Sequence, residues 1–502
     1  MSFSVPATRG RAALVVLGCA KNQVEAETLS SCLAGLGWKL AAEPSEADVI
    51  VVHTCGFLAS ARLEASDAVA RLRRSAPGAF IVVSGCFAQY LGGRVPLGAD
   101  AALGTGELDR LPELIEGRAA RGRPSHGLEA CGSEPTILIS RARRRLSPPS
   151  GFHDASFPRP LRRGQLSAYV RVSEGCDRRC TFCLIPQLRG KMKSRPPKDI
   201  LTEARGLAER GVKELVLISQ DTTAFGNDLR PRRSLRGLAE EMVSWDGVRW
   251  LRLLYAHPAG VDDRLIRFLA EEPKLCGYLD MPLQHLSGPV LKAMGRAPGE
   301  SGTFRLLDRL KEKVPGLALR TTFIVGFPGE SDGDFRRMAR GVEEGRFEHV
   351  GVFVWSPEER TSSARLRARV PPAVAEERRR ALLDVQSAVM ERRARARIGE
   401  AVEVLVESSP RGWAARAPWQ APEVDGEVLL DRFPGRPGFF TARFTGRKGV
   451  DLTADLVPDP DTSRRRGKAG IRSRGRGTGI RPVRGFPDCA EHGQDARATS
   501  IL

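Results

Sequence analysis

From Arg11 to Arg121, short runs of Val, Ile and Leu alternate with stretches in which apolar residues return every three or four positions. Continuous apolar runs of this length predict strands buried on both faces, and the longer period predicts helices. The pattern places strands at Ala12–Leu17, Asp48–His53 and Ala79–Ser84, with helices through Val24–Leu36 and Phe57–Leu72. Strands alternating with helices predict a parallel α/β domain over residues 10–121. The pattern breaks over 122–161, where Pro148-Pro149 and the Arg141–Arg145 run cannot build a core. A linker or surface excursion is predicted there, with one short strand at Ile137–Ile139.

Periodicity returns over 162–393. Strands are predicted at Ala168–Val172, Glu214–Ile218, Trp250–Leu254, Tyr278–Pro282, Leu319–Val325 and His349–Val354, with helices such as Ile200–Arg210 and Asp262–Ala270. Six strands of this kind predict a partial (β/α) barrel, whose ligands bind at the C-terminal strand ends. Over 395–457 the runs shorten to Val402–Val406, Glu427–Leu430 and Phe439–Phe444 between Gly/Pro turns, which predicts a small β-barrel. Residues 458–502 are rich in Arg, Gly and Ser without periodicity, and a disordered basic tail is expected.

Composition narrows the setting. The chain has 502 residues, 41% hydrophobic and 28% charged, as in a globular protein. It contains no run of about 18 apolar residues, and Met1–Arg11 lacks an apolar core. No membrane span and no secretory signal are therefore expected, and a cytoplasmic location follows. The formal net charge is +19, and ten Lys/Arg against four Asp/Glu from Asp461 to Leu502 put +6 of it in the tail, leaving +13 elsewhere. That balance favours nucleic acid or a ribonucleoprotein as partner, although a coding bias toward Arg explains it equally well.

The chain has ten cysteines, and a reducing compartment turns clustered cysteines toward metal ligation rather than disulfides. Cys176, Cys180 and Cys183 lie just after the first strand of the predicted barrel. Three thiolates at this spacing can hold three irons of a 4Fe–4S cluster, and with no fourth Cys nearby one iron stays open. An open iron can chelate the amino and carboxylate groups of S-adenosylmethionine (SAM), whose reductive cleavage yields a 5′-deoxyadenosyl radical. A zinc site is the alternative, but zinc usually takes four closed ligands. Cys19, Cys55 and Cys86 each follow one of the three N-terminal strands, with Gly18, Gly56 and Gly85 beside them. In a parallel sheet these ends share one edge, so the three thiols can converge on a second cluster, again with an open iron. Three small core cysteines are the alternative. Cys32, Cys131, Cys276 and Cys489 are assigned no role.

The string SEGCDRRCTFCLI at Ser173–Ile185, with Phe182 before the last Cys, resembles the radical SAM superfamily signature. Two cysteine triads on two α/β blocks, followed by a β-barrel, resemble the methylthiotransferase family as far as about Leu456. The three blocks then correspond to its methylthiotransferase domain, its radical SAM barrel and a TRAM domain. Within the family, LGCAKN at Leu17–Asn22, RGKMKSRP at Arg189–Pro196, SQDTTAFG at Ser219–Gly226, PLQH at Pro282–His285, RTTFIVGFPGE at Arg320–Glu330 and APEVDG at Ala421–Gly426 resemble one branch. That branch methylthiolates the β-carbon of an aspartate in the twelfth small-subunit ribosomal protein.

The tRNA-modifying branch typically has Gln-Met-Asn in the first motif and no PLQH. Two departures are Glu25-Ala26-Glu27 for the family's Asp-Ser-Glu, and Arg360 for its Gly.

The resemblance implies two 4Fe–4S clusters and SAM as cofactors. It also implies a ribosomal protein substrate, an electron donor and a possible RNA contact. Loops at the strand ends should line the SAM pocket, with Phe182, Ser219, Gln220, Gln284 and Glu330 as candidate contacts; ordinary βα turns are the alternative. The segment Ala421–Leu430 is a candidate dock for the substrate loop. No catalytic acid or base is assigned. A tRNA adenosine methylthiotransferase is the same chemistry on another substrate, and a metal-containing RNA-binding protein without activity is the alternative of a different class.

Overall fold

The computed structural model of the chain describes residues 9–121, 136–138, 159–409 and 412–458. The expected disordered tail, most of the linker, and Cys131 and Cys489 lie outside these residues.

The first sheet contains β1 (Gly10–Val16), β2 (Trp38–Leu40), β3 (Val49–Thr54), β4 (Phe80–Gly85), β5 (Ala101–Leu103) and β6 (Thr136–Leu138). All its pairings are parallel, in the order β2-β1-β3-β4-β5-β6. Alternate residues of β3 explain why its apolar run is unbroken. Val49 and Val51 face a core with Leu29 and Leu33, while Ile50 and Val52 face another with Ala65 and Val69. The strand predicted inside the linker is β6, which joins the edge of this sheet. β2 and β5 are three residues each, too short for their periodicity to stand out.

The central sheet is also parallel, with strands in the order β14-β13-β12-β11-β10-β7: an open, partial barrel. They are β7 (Ser167–Arg171), β10 (Glu214–Ile218), β11 (Trp250–Leu253), β12 (Leu275–Asp280), β13 (Ala318–Val325) and β14 (His349–Val354). A short antiparallel pair, β8 (Ser173–Glu174) and β9 (Lys193–Ser194), follows β7. The 26-residue helix Pro372–Arg397 leads out of the barrel. Its inward stripe is Ala375, Arg378, Leu382, Gln386 and Val389, and the two polar members hide the helical period from a hydrophobicity reading.

The last sheet holds β15 (Ala401–Ser409), β16 (Gly412–Arg416), β17 (Val428–Leu430), β18 (Gly438–Lys448) and β19 (Asp451–Leu456), ordered β16-β15-β18-β19-β17. The ends of that order, β16 and β17, approach each other, so the sheet is a nearly closed small barrel. It is bolted to the central barrel by buried ion pairs. Glu214 accepts from Arg252 Nε at 2.7 Å and from Arg416 Nη2 at 2.5 Å, and Arg416 also reaches Glu407 at 2.7 Å. Asp425 accepts from Tyr278 Oη at 2.6 Å and from Arg320 Nε at 3.1 Å. Ala421, Pro422 and Asp425 of the expected dock at Ala421–Leu430 are thus buried against the central barrel, while Glu423 and Leu429 of the same segment are exposed. Among the described residues no helix is long and apolar enough to cross a membrane.

Glu214 is fully buried between two guanidinium groups, and removing it leaves Arg252 without a carboxylate and Arg416 with Glu407 alone. Glu214→Leu should destabilise the protein by about 3–5 kcal/mol. Glu403→Ala, which breaks the exposed pair with Arg249, should cost about 1 kcal/mol or less. Urea denaturation of the two variants checks the contrast, and equal midpoints would contradict it.

Candidate active site

β1, β3 and β4 are neighbours, and their register sets Val16 level with His53 and His53 level with Ser84. The three chains therefore leave the sheet side by side, and the next turns carry Cys19, Cys55 and Cys86. Cys19 precedes the helix Ala20–Gly35, and Cys86 opens the helix Cys86–Leu91. The glycines beside these cysteines let the turns pack on one another. A Cβ at Gly56 would lie 2.5 Å from the Cys86 carbonyl oxygen, and one at Gly18 would lie 2.8 Å from Cys55 Cβ.

The other triad is carried by one loop. Gly175 starts it with φ +74°, where a side chain would strike the Lys191 carbonyl at 2.3 Å. Cys176 N–H donates to Gly190 O at 3.1 Å, and Cys183 N–H donates to Cys180 O at 3.2 Å. Thr181 N–H reaches Met294 O at 2.9 Å, which ties the loop to the rim of the barrel.

All six cysteines line a single cavity between the N-terminal block and the barrel mouth. Cys32 and Cys276 do not. Cys32 is half-buried on its helix, and Cys276 lies in the core of β12. Burial pushes the thiols of Cys55 and Cys176 up to about 11 and that of Cys86 to about 12, and it raises Cys183 as well. Without metal these are neutral thiols, and iron must displace their protons. Arg189 Nε donates to Cys86 Sγ at 3.0 Å, and Arg296 Nη1 to Cys180 Sγ at 3.5 Å. Two groups of three sulfurs, each with a cationic hydrogen-bond donor, fit iron–sulfur clusters. Among the described residues no three His, Cys, Asp or Glu side chains are gathered closely enough to hold a single metal ion.

The expected SAM contacts divide. Phe182, Gln220 and Gln284 are on the cavity wall; Ser219 and Glu330 are not. Ser219 is fully buried, and its hydroxyl accepts from Asp221 N–H at 3.0 Å. Glu330 accepts from Arg378 at 2.8 Å and lies 3.7 Å from His285, so it fastens the barrel behind the wall. Gln220 Oε1, Gln284 Oε1 and Arg296 Nε are buried on the wall without hydrogen-bond partners. Two of the three non-glycine residues with positive φ in the described structure, Tyr255 and Gln284, are here too. Strained backbone and unsatisfied polar atoms persist together where a ligand is to be met.

Several wall residues were not singled out from the sequence: Lys21, Arg189, Tyr255, His257, Arg296 and Arg320. Arg189 is the most consequential. Its Nη1 donates to Glu25 and to Glu174, both at 2.8 Å, and its Nη2 to Asn22 at 3.2 Å. Glu25 also accepts from Arg171 at 2.6 Å and from His53 Nε2 at 2.9 Å. The arginines beside Glu25 hold its carboxyl well below the usual carboxylate range despite burial. Arg360 departs from the family pattern, and here it stacks over Tyr90 at 4.1 Å, as Arg62 does. Burial, with Arg296 and Arg178 adding, pushes His257 down to about 2, so it is neutral.

Comparison with known proteins agrees with this architecture. Residues 11–99 match "Uncharacterized protein family UPF0004", residues 170–342 the radical SAM superfamily, and residues 398–457 the TRAM domain. The chain is 39% identical over 469 residues to "Ribosomal protein uS12 methylthiotransferase RimO" of Anaeromyxobacter sp., covering 91% of this chain and 95% of that one. It is 41% identical to the protein of that name from Syntrophobacter fumaroxidans, covering 89% and 98%. Among solved structures it is similar to the radical SAM methyltransferase TsrM of Kitasatospora setae, at 16% identity and TM-score 0.46 over 68% of this chain and 75% of that one. That likeness is too loose to carry an argument.

Replacing Arg189 by Met leaves Glu25 and Glu174 with less positive charge at a buried junction. Arg189→Met should therefore destabilise by about 3–5 kcal/mol. Arg189→Lys should recover only part of the loss, because one ammonium cannot reproduce the guanidinium fork that meets four partners. Thermal melts of both variants check this, and full recovery by Lys would contradict it.

Proposed function

The chain belongs to the RimO family of ribosomal protein uS12 methylthiotransferases, and from that premise we propose that it transfers a methylthio group to the β-carbon of an aspartate of uS12. It is a SAM-dependent radical transferase, and its radical SAM domain takes an iron–sulfur cluster and SAM. The observation that carries the proposal is the convergence of two thiol triads on one cavity. We assign Cys176, Cys180 and Cys183 to the radical SAM cluster, and Cys19, Cys55 and Cys86 to a second cluster. When bound, these groups supply one-electron cleavage of SAM and a site for sulfur, which an unactivated aspartate β-carbon requires because it offers neither an acidic proton nor a leaving group.

The residues of this chain bind and orient. Gln220 and Gln284 present amide oxygens without partners to the amino and hydroxyl donors of SAM. Phe182 packs against Val290, Met294, Ile324 and Phe327, an apolar wall that excludes water from a reactive site. Arg189 and Arg296 hydrogen-bond one sulfur in each triad. The domain limits that go with this reading are 10–121, 162–393 and 395–457. A one-electron donor, contact with ribosomal RNA through the basic surface, and a cytoplasmic location complete it.

Iron analysis tests the two-cluster assignment. Reconstituted wild type should hold about eight irons, and the triple Cys→Ala variant of either triad about four. The Cys176/Cys180/Cys183 variant should also lose 5′-deoxyadenosine formation. Iron equal to wild type in the Cys19/Cys55/Cys86 variant would refute the second cluster. For the substrate, mass spectrometry of uS12 from a strain lacking this gene should show no methylthio adduct until the gene is restored. Restoration of methylthio-adenosine in tRNA instead would move the protein to the tRNA-modifying branch.

A further inference from the structure

The cavity wall carries five cations besides the titratable His257: Lys21, Arg178, Arg189, Arg296 and Arg320. Three are neutralised. Arg178 pairs with Asp221 at 2.8 Å, Arg189 with Glu25 and Glu174, and Arg320 with Asp280 at 3.0 Å. Arg296 gives its terminal nitrogens to Cys180 Sγ and the Pro282 carbonyl. Lys21 is different. It is 4% exposed, and its ammonium makes one long hydrogen bond, to Ser219 O at 3.4 Å. It sits 3.4 Å from the ring centroid of Tyr255. Apart from that ring, the ammonium's only other contact among the described residues is the one hydrogen bond, so two of its three donors have no hydrogen-bond acceptor there.

The neighbouring carboxylates are engaged elsewhere. Asp280 takes Arg320 and the Tyr255 N–H, and Glu174 takes Arg171, Arg189 and Gln220. A buried ammonium left short of hydrogen bonds is costly unless an anion completes it. Tyr255 is held at φ +60° with its ring against this ammonium, a strained arrangement beside the reacting groups.

We propose that Lys21 is the specificity residue that receives the side-chain carboxylate of the substrate aspartate. The inference rests on the proposed function above and deepens it. Lys21 is two residues from Cys19 and reaches across to Tyr255 at the barrel mouth. A carboxylate bound there places its neighbouring β-carbon in the cavity that both triads line. A neutral amide in its place would leave the ammonium uncompensated, so the site selects Asp over Asn. The other carboxylate that could enter is that of SAM, and the test separates the two.

The test uses the reconstituted full-length enzyme with two peptides, one spanning the modified aspartate of uS12 and one with Asn in its place. Wild type should prefer the Asp peptide by at least about tenfold in kcat/KM, the weight of one charge-assisted hydrogen bond. Lys21→Met, chosen for its similar volume and checked for full iron content, should raise KM for the Asp peptide by at least about tenfold. It should also erase the Asp/Asn preference and leave KM for SAM unchanged. A purely structural lysine would not move the preference. Three results overturn the proposal: wild type turning over both peptides equally, Lys21→Met keeping the preference, or Lys21→Met raising KM for SAM instead of the peptide. If Lys21→Met loses iron, Lys21→Gln takes its place in the same comparison, and an Asp preference kept in that variant overturns the proposal. A wild type that modifies neither peptide brings down the functional reading, and this inference with it.

Discussion

The pair formed by Arg189 and Glu25 is the constraint on which the site depends. Glu25 rises from the first helix of the N-terminal block, and Arg189 closes the cysteine loop of the barrel. Each is nearly without solvent exposure, and undocking would leave Glu25 with His53 alone and Arg189 with Glu174 but not Glu25, so both charges are fully satisfied only when the blocks are docked in one orientation. Such a pair adds little net stability against a well-packed apolar substitute, but separating it is expensive. Its effect is to fix register between two domains that could otherwise slide, and the site needs that register because each contributes one triad. The Arg62–Glu358 pair, at 2.7 Å, repeats the device at another point of the same junction. In this chain Glu25 stands where the family has a shorter Asp, and the longer side chain still meets both arginines and His53.

Much of this was legible in the sequence, because strand runs flanked by helical periods are unambiguous when strands are buried on both faces. The cysteines were legible for the same reason. Three sequence-distant cysteines that each follow a strand become neighbours once the sheet is parallel and β1, β3 and β4 are adjacent. What escaped was whatever depends on partners remote in the chain. Arg189 lies in a quoted motif, yet nothing local distinguishes it from the other arginines. Its significance comes from Glu25, Asn22 and Cys86, which are brought to it by docking. Ser219 and Glu330 show the converse. Both sit at strand ends where ligands are expected, but the side chains turn into the scaffold. Position along a strand predicts the rim, and only packing decides which side of the rim a side chain serves. β16 and β19 were missed for a plainer reason: strands such as GWAAR and DLTADL carry too few apolar residues to register as runs.

The C-terminal barrel is less separate than its composition implies. Its residues Asp425 and Arg416 complete ion pairs whose other halves, Arg320 and Glu214, belong to central strands. Arg320 lines the cavity as well, so one guanidinium links the wall to the domain behind it. The small barrel is thereby joined to the cavity wall by buried charge as well as by the apolar cluster that holds Leu405, Ala421, Trp250 and Tyr278, and buried charge tolerates displacement poorly.

The two triads also differ in how much chain must be ordered before they exist. One needs a single loop, closed by the short β8–β9 pair and a glycine turn. The other needs three strands and two crossover helices assembled in register. Local contacts form early and non-local parallel pairings form late. The cysteines of the N-terminal sheet are far apart in the chain and meet only through its topology, whereas those of the loop triad are close in the chain already. The two triads thus ask different things of the chain, one a single closed loop and the other a finished sheet, and the docking of Arg189 onto Glu25 is what brings both to one cavity.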